Sequence, residues 1–518
     1  MAFVLIGFMG SGKSTAASEL ASALGTDARD SDRLLQERLG HTVAREFELH
    51  GEASFRAKEE QLVRELLDDA DAEEVIALGG GSVLSERVRG ALSAHVTVLL
   101  DIEPDLAWER VRATATATGT ERPLARDLNA FRALAAERRP LYDELADAIL
   151  PGAANGTARR AVGALRALRA APPGTRMVWA SSASGEYPVL VGRGLLEDGE
   201  RLAELWPVDR SSSRAFCVTD ENVGPLYGER LGGLGATITI PPGEQHKSLA
   251  VAERVWRELA RSGMTRADHL VALGGGVVGD LAGFCAATYQ RGVGVVHVPT
   301  TLVAQVDSAY GGKTGVDLPE AKNYVGAYHQ PAGVLVDPDV LATLAGAERS
   351  AGWVEVLKTA LIAGGGLWES IAGGEPVDER TILACARTKL AIVAADERDE
   401  AGRQALNLGH TVGHAIESAT GYGRYRHGEA VGLGLLATLR LSGTDELREQ
   451  VRELLEVRGL PVALEGTTVE AVLEAVKRDK KRVGRTVPFV LLEAAGEVRI
   501  GCEVDPAELR GAVQELIA

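Results

Sequence analysis

Cysteine is scarce in this sequence of 518 residues, and the four that occur, Cys217, Cys285, Cys385 and Cys502, are far apart. No CxxC pair is present, so neither a disulfide framework nor a thiolate zinc site is predicted. Positive charge is also in the minority, because 56 Lys and Arg stand against 73 Asp and Glu, a net charge of −17. This balance argues against nucleic acid or an anionic membrane as the main partner. Any anionic ligand would need a local basic cluster.

Long apolar runs are absent as well. No uninterrupted apolar stretch approaches the length of a membrane span. The chain begins MAFVLIGFMG, a strand-like run without a basic leader or a processing site, so we expect a soluble cytoplasmic protein. Hydrophobic residues make up 45% of the sequence and charged residues 25%, which is typical of globular proteins. The length predicts roughly two to four domains.

Strand-like and helical patterns divide the chain into modules. Residues 1–170 alternate apolar runs such as FVLIGF and HVTVLLDI with helical patterns, which predicts an α/β fold with a parallel sheet. The segment APPGT at 171–175 is predicted to be a linker. Another α/β pattern covers 176–335, and amphipathic helices dominate 336–518.

A phosphate-binding pattern stands at the front of the chain. The segment GFMGSGKS at 7–14 fits G-x-x-x-x-G-K-[ST] between a strand-like run and a helical stretch. In that context backbone N–H groups surround phosphates, Lys13 reaches the β/γ-phosphates and the Ser14 hydroxyl binds Mg²⁺. Asp30 and Asp32 follow a predicted strand and could serve Mg²⁺ and an acceptor hydroxyl, or belong to a solvated acidic loop. The pattern predicts that a nucleoside triphosphate is bound, but it does not identify the molecule that accepts the phosphoryl group.

In order, the motifs GFMGSGKST, DSD, FRxxEE, ALGGGSV, ERPL and RRPLY make residues 1–170 resemble shikimate kinase, which has the P-loop NTPase fold. The resemblance implies that ATP with Mg²⁺ is bound by the P-loop and a lid: Gly10, Ser11, Gly12, Lys13, Ser14, Thr15 and Arg122, with Ser14 and Asp30 at the metal. It implies a shikimate site formed by Asp32, Arg56, Gly80 and Arg138, in which the arginines pair with the carboxylate. Lys13, Arg122 and Asp32 would be catalytic: the cations stabilise the transferred phosphoryl group, and Asp32 accepts the hydroxyl proton. The alternative is a nucleotide-binding module without catalysis, against which the presence of Asp32, Arg56 and Arg138 argues.

The back of the chain has a second ALGGG, at 272–276, which continues VVGDLAGF. A glycine cluster that follows a strand, opens a helix and ends in Asp280 suits a dinucleotide pyrophosphate, although it is not G-x-G-x-x-G. Three of the ten histidines, His410, His414 and His427, fall within 409–431 and could build a metal site or be structural. Thr411 stands where a zinc protease carries glutamate, so a peptidase is disfavoured. Imidazole and carboxylate ligands without thiolate favour catalytic zinc.

Basic residues gather in this module, and Lys313 and Lys322, beside glycine, asparagine and aromatic residues, have the pattern of anion ligands. The ordered motifs TDENV, PPGEQHKSL, LGGGVVGD, YQRG, VPTTLVAQVDSAYGGKTGVD, KNYVGAYHQP, VEVLK, LNLGHTVGHAIE and HGEAV make 176–518 resemble 3-dehydroquinate synthase. The resemblance implies a Rossmann-like NAD-binding α/β domain over 176–335 and a mainly helical zinc- and substrate-binding domain over 336–518. A homodimer through this half is a further expectation.

The resemblance also implies the site residues. The implied zinc ligands are Glu355, His410 and His427, with Co²⁺ as a possible replacement. The implied NAD⁺ contacts are Asp220, Asn222, Glu244, Gln245, His246, Lys247, Gly275, Gly276, Val277, Val278, Gly279, Asp280, Thr300, Thr301, Lys313 and Lys322. The implied substrate contacts are Arg291, Asp307, Lys313, Lys322, Asn323, Lys358, Lys389, Arg403, Asn407, His414 and one of Lys480 and Lys481. Among them, the implied catalytic residues are Asp307, Lys313, Lys358, Arg403 and His414.

The reaction implied is the conversion of 3-deoxy-D-arabino-heptulosonate 7-phosphate into 3-dehydroquinate and phosphate. In it, NAD⁺ takes a hydride, the new ketone acidifies the neighbouring C–H, phosphate leaves, and the hydride returns before the ring closes. The alternative for this half is a zinc-dependent NAD polyol dehydrogenase with a net redox reaction. Lys313, Lys322 and Arg403 argue against it, because a neutral polyol needs no anion clamp.

Overall fold

The computed structural model describes residues 1–118, 127–152, 156–478 and 487–517. The chain divides into two compact units. Unit 1 contains Met1–Ala180, Pro188–Leu190 and Ala203–Leu205, and unit 2 contains Ser181–Tyr187, Val191–Leu202 and Trp206–Ala518. Within the described ranges, none of the helices combines the length and apolar character that crossing a membrane requires.

Unit 1 is built on a parallel sheet. Its strands are β1 (Phe3–Ile6), β2 (Ala28–Asp30), β3 (Val75–Ala77), β4 (Val96–Asp101), β5 (Ala148–Pro151) and β6 (Arg176–Ser182). Parallel pairing gives the order β2-β3-β1-β4-β5-β6. The four apolar side chains of β1 are buried, as expected for a strand covered by helices on both faces. The sheet therefore places the end of β1 in the middle of the carboxyl edge.

The helices of unit 1 are α1 (Lys13–Leu24), α2 (Ser31–Leu39), α3 (Val43–Asp68), α4 (Glu86–Leu92), α5 (Pro104–Thr118), α6 (Leu128–Leu145), α7 (Thr157–Arg160) and α8 (Val162–Leu168). Asp30 caps α2, because its side chain accepts the N–H groups of Asp32 and Arg33. Helix α3 is interrupted at Gly51, whose φ of 76° and ψ of 172° are not helical. The predicted α/β fold of this module is confirmed.

Strand β6, which the sequence predicted to open the next domain, pairs with β5, and its residues Arg176–Ala180 fall in unit 1. Ala148 pairs with Met177 and Ile149 with Val178, and the Met177 N–H donates to the Asp147 carbonyl at 2.8 Å. The reason is that β5 has a free backbone edge, which the first strand after 171–175 can extend. The domain limits inferred from the sequence remain predictions.

Unit 2 is also built on parallel strands. Its strands are β8 (Ala215–Asp220), β9 (Leu234–Ile240), β10 (His269–Gly274), β11 (Gly294–Pro299) and β14 (Gly333–Val336), in the order β14-β11-β10-β8-β9. Two antiparallel hairpins are formed by β12 (Lys313–Leu318) with β13 (Ala321–Tyr328), and by β15 (Phe489–Ala494) with β16 (Glu497–Cys502). Strand β7 (Gly185–Val191) and helix α9 (Gly199–Leu205) have residues in each unit.

The sheet of unit 2 is followed by helices, as the sequence predicted. The helices are α10 (Gly224–Tyr227), α11 (Leu249–Arg261), α12 (Gly276–Thr288), α13 (Gly346–Ala363), α14 (Gly365–Ala372), α15 (Glu379–Ala395), α16 (His410–Ala419), α17 (His427–Ser442), α18 (Asp445–Val457), α19 (Val469–Lys477) and α20 (Pro506–Gln514). Helices α11 and α12 pack their apolar side chains on the sheet, with Val255, Leu259, Leu281 and Cys285 fully buried. The fold class of this half is a Rossmann-like α/β domain followed by helices.

Candidate active sites

The P-loop of unit 1 joins β1 to α1 in a conformation that needs glycine. Gly10 and Gly12 have φ of 83° and 89°. A Cβ atom on Gly10 would lie 2.5 Å from the Ala107 carbonyl oxygen, so a side chain is excluded there. The Lys13 ammonium donates to the carbonyl oxygens of Gly7 at 2.8 Å and Phe8 at 3.0 Å. The loop borders a cavity of about 570 Å³, suited to phosphates at the N-terminus of α1.

The residues predicted for Mg²⁺ meet beside this loop. The Ser14 hydroxyl donates to Asp30 Oδ2 at 2.6 Å, and both residues line the cavity. Asp30 Oδ1 accepts the N–H group of Asp32 at 3.0 Å, which fixes the carboxylate at the start of α2. A hydroxyl and a carboxylate are oxygen ligands of the kind that Mg²⁺ prefers.

The residues predicted for the acceptor converge on the glycines that follow β3. A Cβ atom on Gly79 would lie 2.5 Å from Asp32 Oδ1, and one on Gly81 would overlap the guanidinium of Arg56. Arg138, which is buried, donates from Nη1 to the Gly80 carbonyl at 3.4 Å. The first ALGGG segment therefore has a physical role, because the side chains of Asp32 and Arg56 occupy the space that a Cβ atom on Gly79 or Gly81 would fill. Arg122 lies outside the described residues.

The sequence analysis missed Glu59, which holds Arg56 in place. Glu59 Oε2 accepts a hydrogen bond from Arg56 Nη1 at 2.6 Å, and Oε1 accepts one from the Ser82 hydroxyl at 2.9 Å. Burial raises the pKa of Tyr142 to about 12, which Arg138 partly offsets, and its hydroxyl donates to Gly80 at 2.5 Å. The i,i+3 spacing of Arg56 and Glu59 on a helix was the signal that could have identified this pair.

In unit 2, the residues predicted for NAD⁺ follow the carboxyl ends of four parallel strands. Strands β8, β9, β10 and β11 end at Asp220, Ile240, Gly274 and Pro299. The segments after these ends lie along one edge of the sheet, where nucleotides bind in open α/β folds. They contain the predicted residues Asp220 and Asn222, 244–247, 275–280, and Thr300 with Thr301. A Cβ atom on Gly275 would lie 2.8 Å from Thr301 Cγ2, so two of these segments touch.

Lys247 joins three carboxylates at this edge. Its Nζ lies 2.7 Å from Glu244 Oε1, 3.3 Å from Asp280 Oδ2 and 3.8 Å from Asp317 Oδ1. Burial raises the pKa of Asp280 to about 6, although the Lys247 charge opposes the shift. Asp317 also accepts the N–H group of Asn323 at 2.7 Å. Asp317, which the sequence analysis did not select, thus links a predicted cofactor residue to a predicted substrate residue.

The residues predicted to bind zinc lie together on three helices of unit 2. Glu355 is on α13, His410 begins α16 and His427 begins α17, and one donor atom from each lies within 4.8 Å of the others. Glycines allow the helices to approach: a Cβ atom on Gly428 would overlap the Ala351 carbonyl, and one on Gly434 would overlap the Gly409 carbonyl.

The donor set fits a divalent cation. Glu355 Oε1 lies 3.4 Å from Nε2 of His427 and 3.6 Å from Nε2 of His410. Both carboxylate oxygens of Glu355 are buried, and within the described part of the chain neither accepts a hydrogen bond of normal geometry. Burial would lower the pKa of His427, but Glu355 and Glu417 raise it to about 10. Buried negative charge beside imidazole nitrogens suits a metal with three protein ligands and an open position.

Cationic side chains surround this centre. Lys358 Nζ lies 2.5 Å from Glu355 Oε2 and 2.7 Å from Asp307 Oδ2, and Lys389 also donates to Asp307. Burial would raise the pKa of Asp307, but the charges of Lys358 and Lys389 hold it well below its usual value. Arg403 is almost fully buried and donates to the Gly311 carbonyl at 2.8 Å. Two predicted substrate residues, Lys358 and Lys389, therefore meet at Asp307 on helix 304–308.

Lys313 and Lys322 each have an acidic partner that the sequence analysis missed. Lys313 Nζ lies 2.5 Å from Asp399 Oδ2, and Lys322 Nζ donates to Glu417 Oε1 at 3.1 Å. Asp399 and Asn407 line a cavity of about 200 Å³. The His414 ring centroid lies 5.2 Å from that of His410 and 5.9 Å from that of His427.

Arg291 does not lie beside the other predicted substrate residues around the metal centre. It follows the C-terminal end of α12, whose N-terminal end lies at the carboxyl edge of the sheet, and it precedes β11. A helix that returns across a parallel sheet ends at the opposite edge, so Arg291 lies at the amino edge of this chain's sheet. Its backbone is strained, with φ of 71°. Lys480 and Lys481 lie outside the described residues.

Comparison with known proteins finds two families in the chain. The family model described as Shikimate kinase matches residues 9–165. The models described as 3-dehydroquinate synthase N-terminal and C-terminal match 237–351 and 352–482. The 3-dehydroquinate synthase of Halorhodospira halophila is 41% identical over 358 residues, which are 66% of this chain and 100% of that protein. That of Symbiobacterium thermophilum is 41% identical over 353 residues, 64% of this chain and 98% of that protein.

Two solved structures resemble the second half. The 2-epi-5-epi-valiolone synthase ValA from Streptomyces hygroscopicus, with NAD⁺ and Zn²⁺ bound, is 25% identical with a TM-score of 0.58, covering 65% of this chain and 99% of that chain. A 2-deoxy-scyllo-inosose synthase complexed with carbaglucose-6-phosphate, NAD⁺ and Co²⁺ is 23% identical with a TM-score of 0.59. The match covers 66% of this chain and 100% of that chain. The latter likeness concerns the fold alone.

Proposed function

The chain belongs to the 3-dehydroquinate synthase family and carries a shikimate kinase domain in front of it, and we propose that both modules are catalytically active. The front module transfers phosphate from ATP to shikimate and forms shikimate 3-phosphate. The back module converts 3-deoxy-D-arabino-heptulosonate 7-phosphate into 3-dehydroquinate and phosphate. The chain is thus a bifunctional enzyme of the shikimate pathway.

In the kinase module, ATP bound with Mg²⁺ supplies the phosphoryl group. Lys13 and the N-terminus of α1 hold the phosphates, while Ser14 and Asp30 hold the cation. Arg56 and Arg138, which meet at Gly79–Gly81, bind the carboxylate of shikimate. Asp32 faces the same segment and accepts the proton of the attacking hydroxyl.

In the synthase module, NAD⁺ supplies a temporary hydride acceptor and the divalent metal polarises the hydroxyl that is oxidised. Glu355, His410 and His427 hold the metal, and the segments at the carboxyl edge of the sheet hold NAD⁺. Lys313, Lys322, Asn323, Arg403 and Asn407 bind the anionic groups of the substrate. The similar ValA structure, which contains NAD⁺ and Zn²⁺, supports these cofactors.

The observation that carries the synthase proposal is the donor set of Glu355, His410 and His427, in which one donor atom of each lies within 4.8 Å of the others and the Glu355 carboxylate is buried. Dialysis against a chelator should abolish synthase activity, and Zn²⁺ or Co²⁺ should restore it. His427→Ala should bind Zn²⁺ far more weakly, because three protein ligands become two. Full activity of a preparation in which elemental analysis finds no metal would contradict the proposal.

Measurement of NADH distinguishes the proposed synthase from the alternative, a polyol dehydrogenase. Because the synthase returns its hydride, product should form while absorbance at the NADH band stays constant. Stoichiometric NADH release would instead favour the dehydrogenase. The expected homodimer remains a prediction, which analytical ultracentrifugation would check.

The kinase proposal is tested at Asp32. Asp32→Asn should lower kcat for shikimate phosphorylation by about 100-fold, because general-base catalysis contributes on that order. ATP affinity, measured by calorimetry, should stay within about twofold, since Asp32 lies at the acceptor glycines. An unchanged kcat would remove Asp32 from the reaction.

A further inference from the structure

Glu417 lies between the proposed metal centre and Lys322, and no role described above uses it. Its side chain is only 3% exposed, on helix α16. Oε1 accepts a hydrogen bond from Lys322 Nζ at 3.1 Å, whereas Oε2 lies 3.5 Å from Nδ1 of His427. A charged group this deeply buried requires partners, and the structure supplies one for each oxygen.

The two ring nitrogens of His427 face different carboxylates. Nε2 lies 3.4 Å from Glu355 Oε1, and Nδ1 lies 3.5 Å from Glu417 Oε2. A neutral imidazole that binds a metal uses one nitrogen for the metal and carries its proton on the other. Because Nε2 faces Glu355 and the His410 side, the proton belongs on Nδ1, toward Glu417.

His410 shows the same arrangement with a different acceptor. Its Nδ1 lies 3.1 Å from the Leu408 carbonyl oxygen, and its Nε2 lies 3.6 Å from Glu355 Oε1. Both histidines therefore present Nε2 to Glu355 and direct Nδ1 to an oxygen acceptor. Such acceptors fix the tautomer and the ring orientation of metal-binding histidines and increase their basicity.

We propose that Glu417 is a positioning residue that holds the Nδ1 proton of His427, so that Nε2 is presented to the metal. The proposal rests on the metal site of the proposed function. Lys322 shares the same carboxylate and draws negative charge away from His427. Metal binding and the anion-binding lysine are therefore coupled through Glu417.

A different arrangement would make Glu417 a metal ligand itself. Donor atoms of His414, Glu417 and His427 also lie within 4.8 Å of one another. A cation there would bind Glu417 Oε2 and Nδ1 of His427, because Glu417 Oε1 already accepts a hydrogen bond from Lys322 Nζ at 3.1 Å. Occupation of both sites would give two metals per synthase module, whereas Glu417 as a positioning residue requires one.

The test measures Zn²⁺ affinity of the metal-free full-length chain by competition with a chromophoric chelator. Glu417→Gln should bind Zn²⁺ roughly 10- to 100-fold more weakly than wild type, the usual effect of losing an outer carboxylate. Glu429→Gln is the matched control: Glu429 lies two residues after His427, but its Oε2 accepts the Arg426 N–H group at 2.8 Å. This control should stay within about twofold. The visible spectrum of bound Co²⁺ should change in Glu417→Gln and not in Glu429→Gln.

A second variant covers the case in which Glu417→Gln does not fold. Lys322→Met should tighten Zn²⁺ binding by about threefold, because the whole carboxylate charge then supports His427. In the Glu417→Gln background this gain should shrink. Unchanged Zn²⁺ affinity in Glu417→Gln or in Lys322→Met would overturn the inference, as would two bound Zn²⁺ per wild-type chain. A wild-type chain that binds no Zn²⁺ would overturn the metal site itself, and with it the proposed synthase function.

Discussion

Lys358 Nζ lies 2.7 Å from Asp307 Oδ2, and the same ammonium lies 2.5 Å from Glu355 Oε2. One buried cation thus contacts two buried carboxylates, one in the metal donor set and one beside it. Burial would lower the pKa of Lys358, but Asp307 and Glu355 raise it above its usual value, so the lysine stays charged. The pair connects helix α13 to helix 304–308.

Lys358→Met should destabilise the metal-free chain by about 3–5 kcal/mol, because it leaves buried Glu355 without its lysine and Asp307 with Lys389 alone. Urea denaturation of the metal-free protein measures this loss. Zn²⁺ should restore more stability to Lys358→Met than to wild type, since the metal then supplies the missing positive charge. Equal stability of the two metal-free proteins would show that Lys358 does not neutralise this pair.

Lys13→Ala should abolish shikimate phosphorylation, with kcat at least about 100-fold lower, because the β/γ-phosphates lose their cation. Synthase activity of the same variant should remain within about twofold, as is usual for independent sites. His427→Ala should abolish synthase activity and leave shikimate phosphorylation within about twofold. Coupled assays of both purified variants check this, and a parallel loss of both activities would mean that the modules depend on each other.

Acid should destabilise unit 2 through His269. Trp206 Nε1 donates to His269 Nε2 at 2.9 Å, and since indole can only donate, Nε2 carries no proton. Nδ1 then donates to the Ser213 hydroxyl, 2.8 Å away. Burial lowers the pKa of His269 to about 4 from its usual 6.5, so between these values the unfolded chain takes up the proton that the folded chain refuses. Stability is therefore full above pH 6.5 and falls as the pH decreases.

The expected loss from His269 is about 1.4 kcal/mol per pH unit within this window. His269→Gln keeps one acceptor and one donor and should lower the proton uptake on unfolding by up to about one. Urea denaturation of both proteins at pH 7 and pH 5 measures the difference. Identical pH slopes would exclude His269 as the titrating group.

Separate expression tests the modular organisation. The fragments 1–172 and 174–518 should each turn over within about twofold of the intact chain. A longer fragment, 1–183, retains β6 and its pairing with β5, so its Tm should exceed that of 1–172 by several degrees, at about 2–4 °C per kcal/mol. Equal Tm values would show that β6 adds nothing to the first unit. Inactive fragments would contradict independent modules.

Local sequence determined the fold class and the residues whose chemistry depends on short spacing. GFMGSGKS predicts the P-loop because three glycines and a lysine at fixed intervals are needed for backbone to surround phosphates. His410 and His414 fall on one face of a helix because they are four residues apart. The ordered family motifs predicted Glu355 as a zinc ligand together with His410 and His427, which spacing alone does not reveal.

Tertiary structure decided the pairings between residues that are distant in the chain. Glu417 meets both Lys322 and His427, and Lys247 meets Asp317, only because strands and helices pack in one arrangement. Close helix contacts at Gly428 and Gly434 set where the metal donors stand. Arg291 lies at the opposite edge because α12 returns across the sheet, and β6 joins the first unit because β5 offers a free edge. Such contacts depend on the geometry of packed elements, which no local pattern of residues specifies.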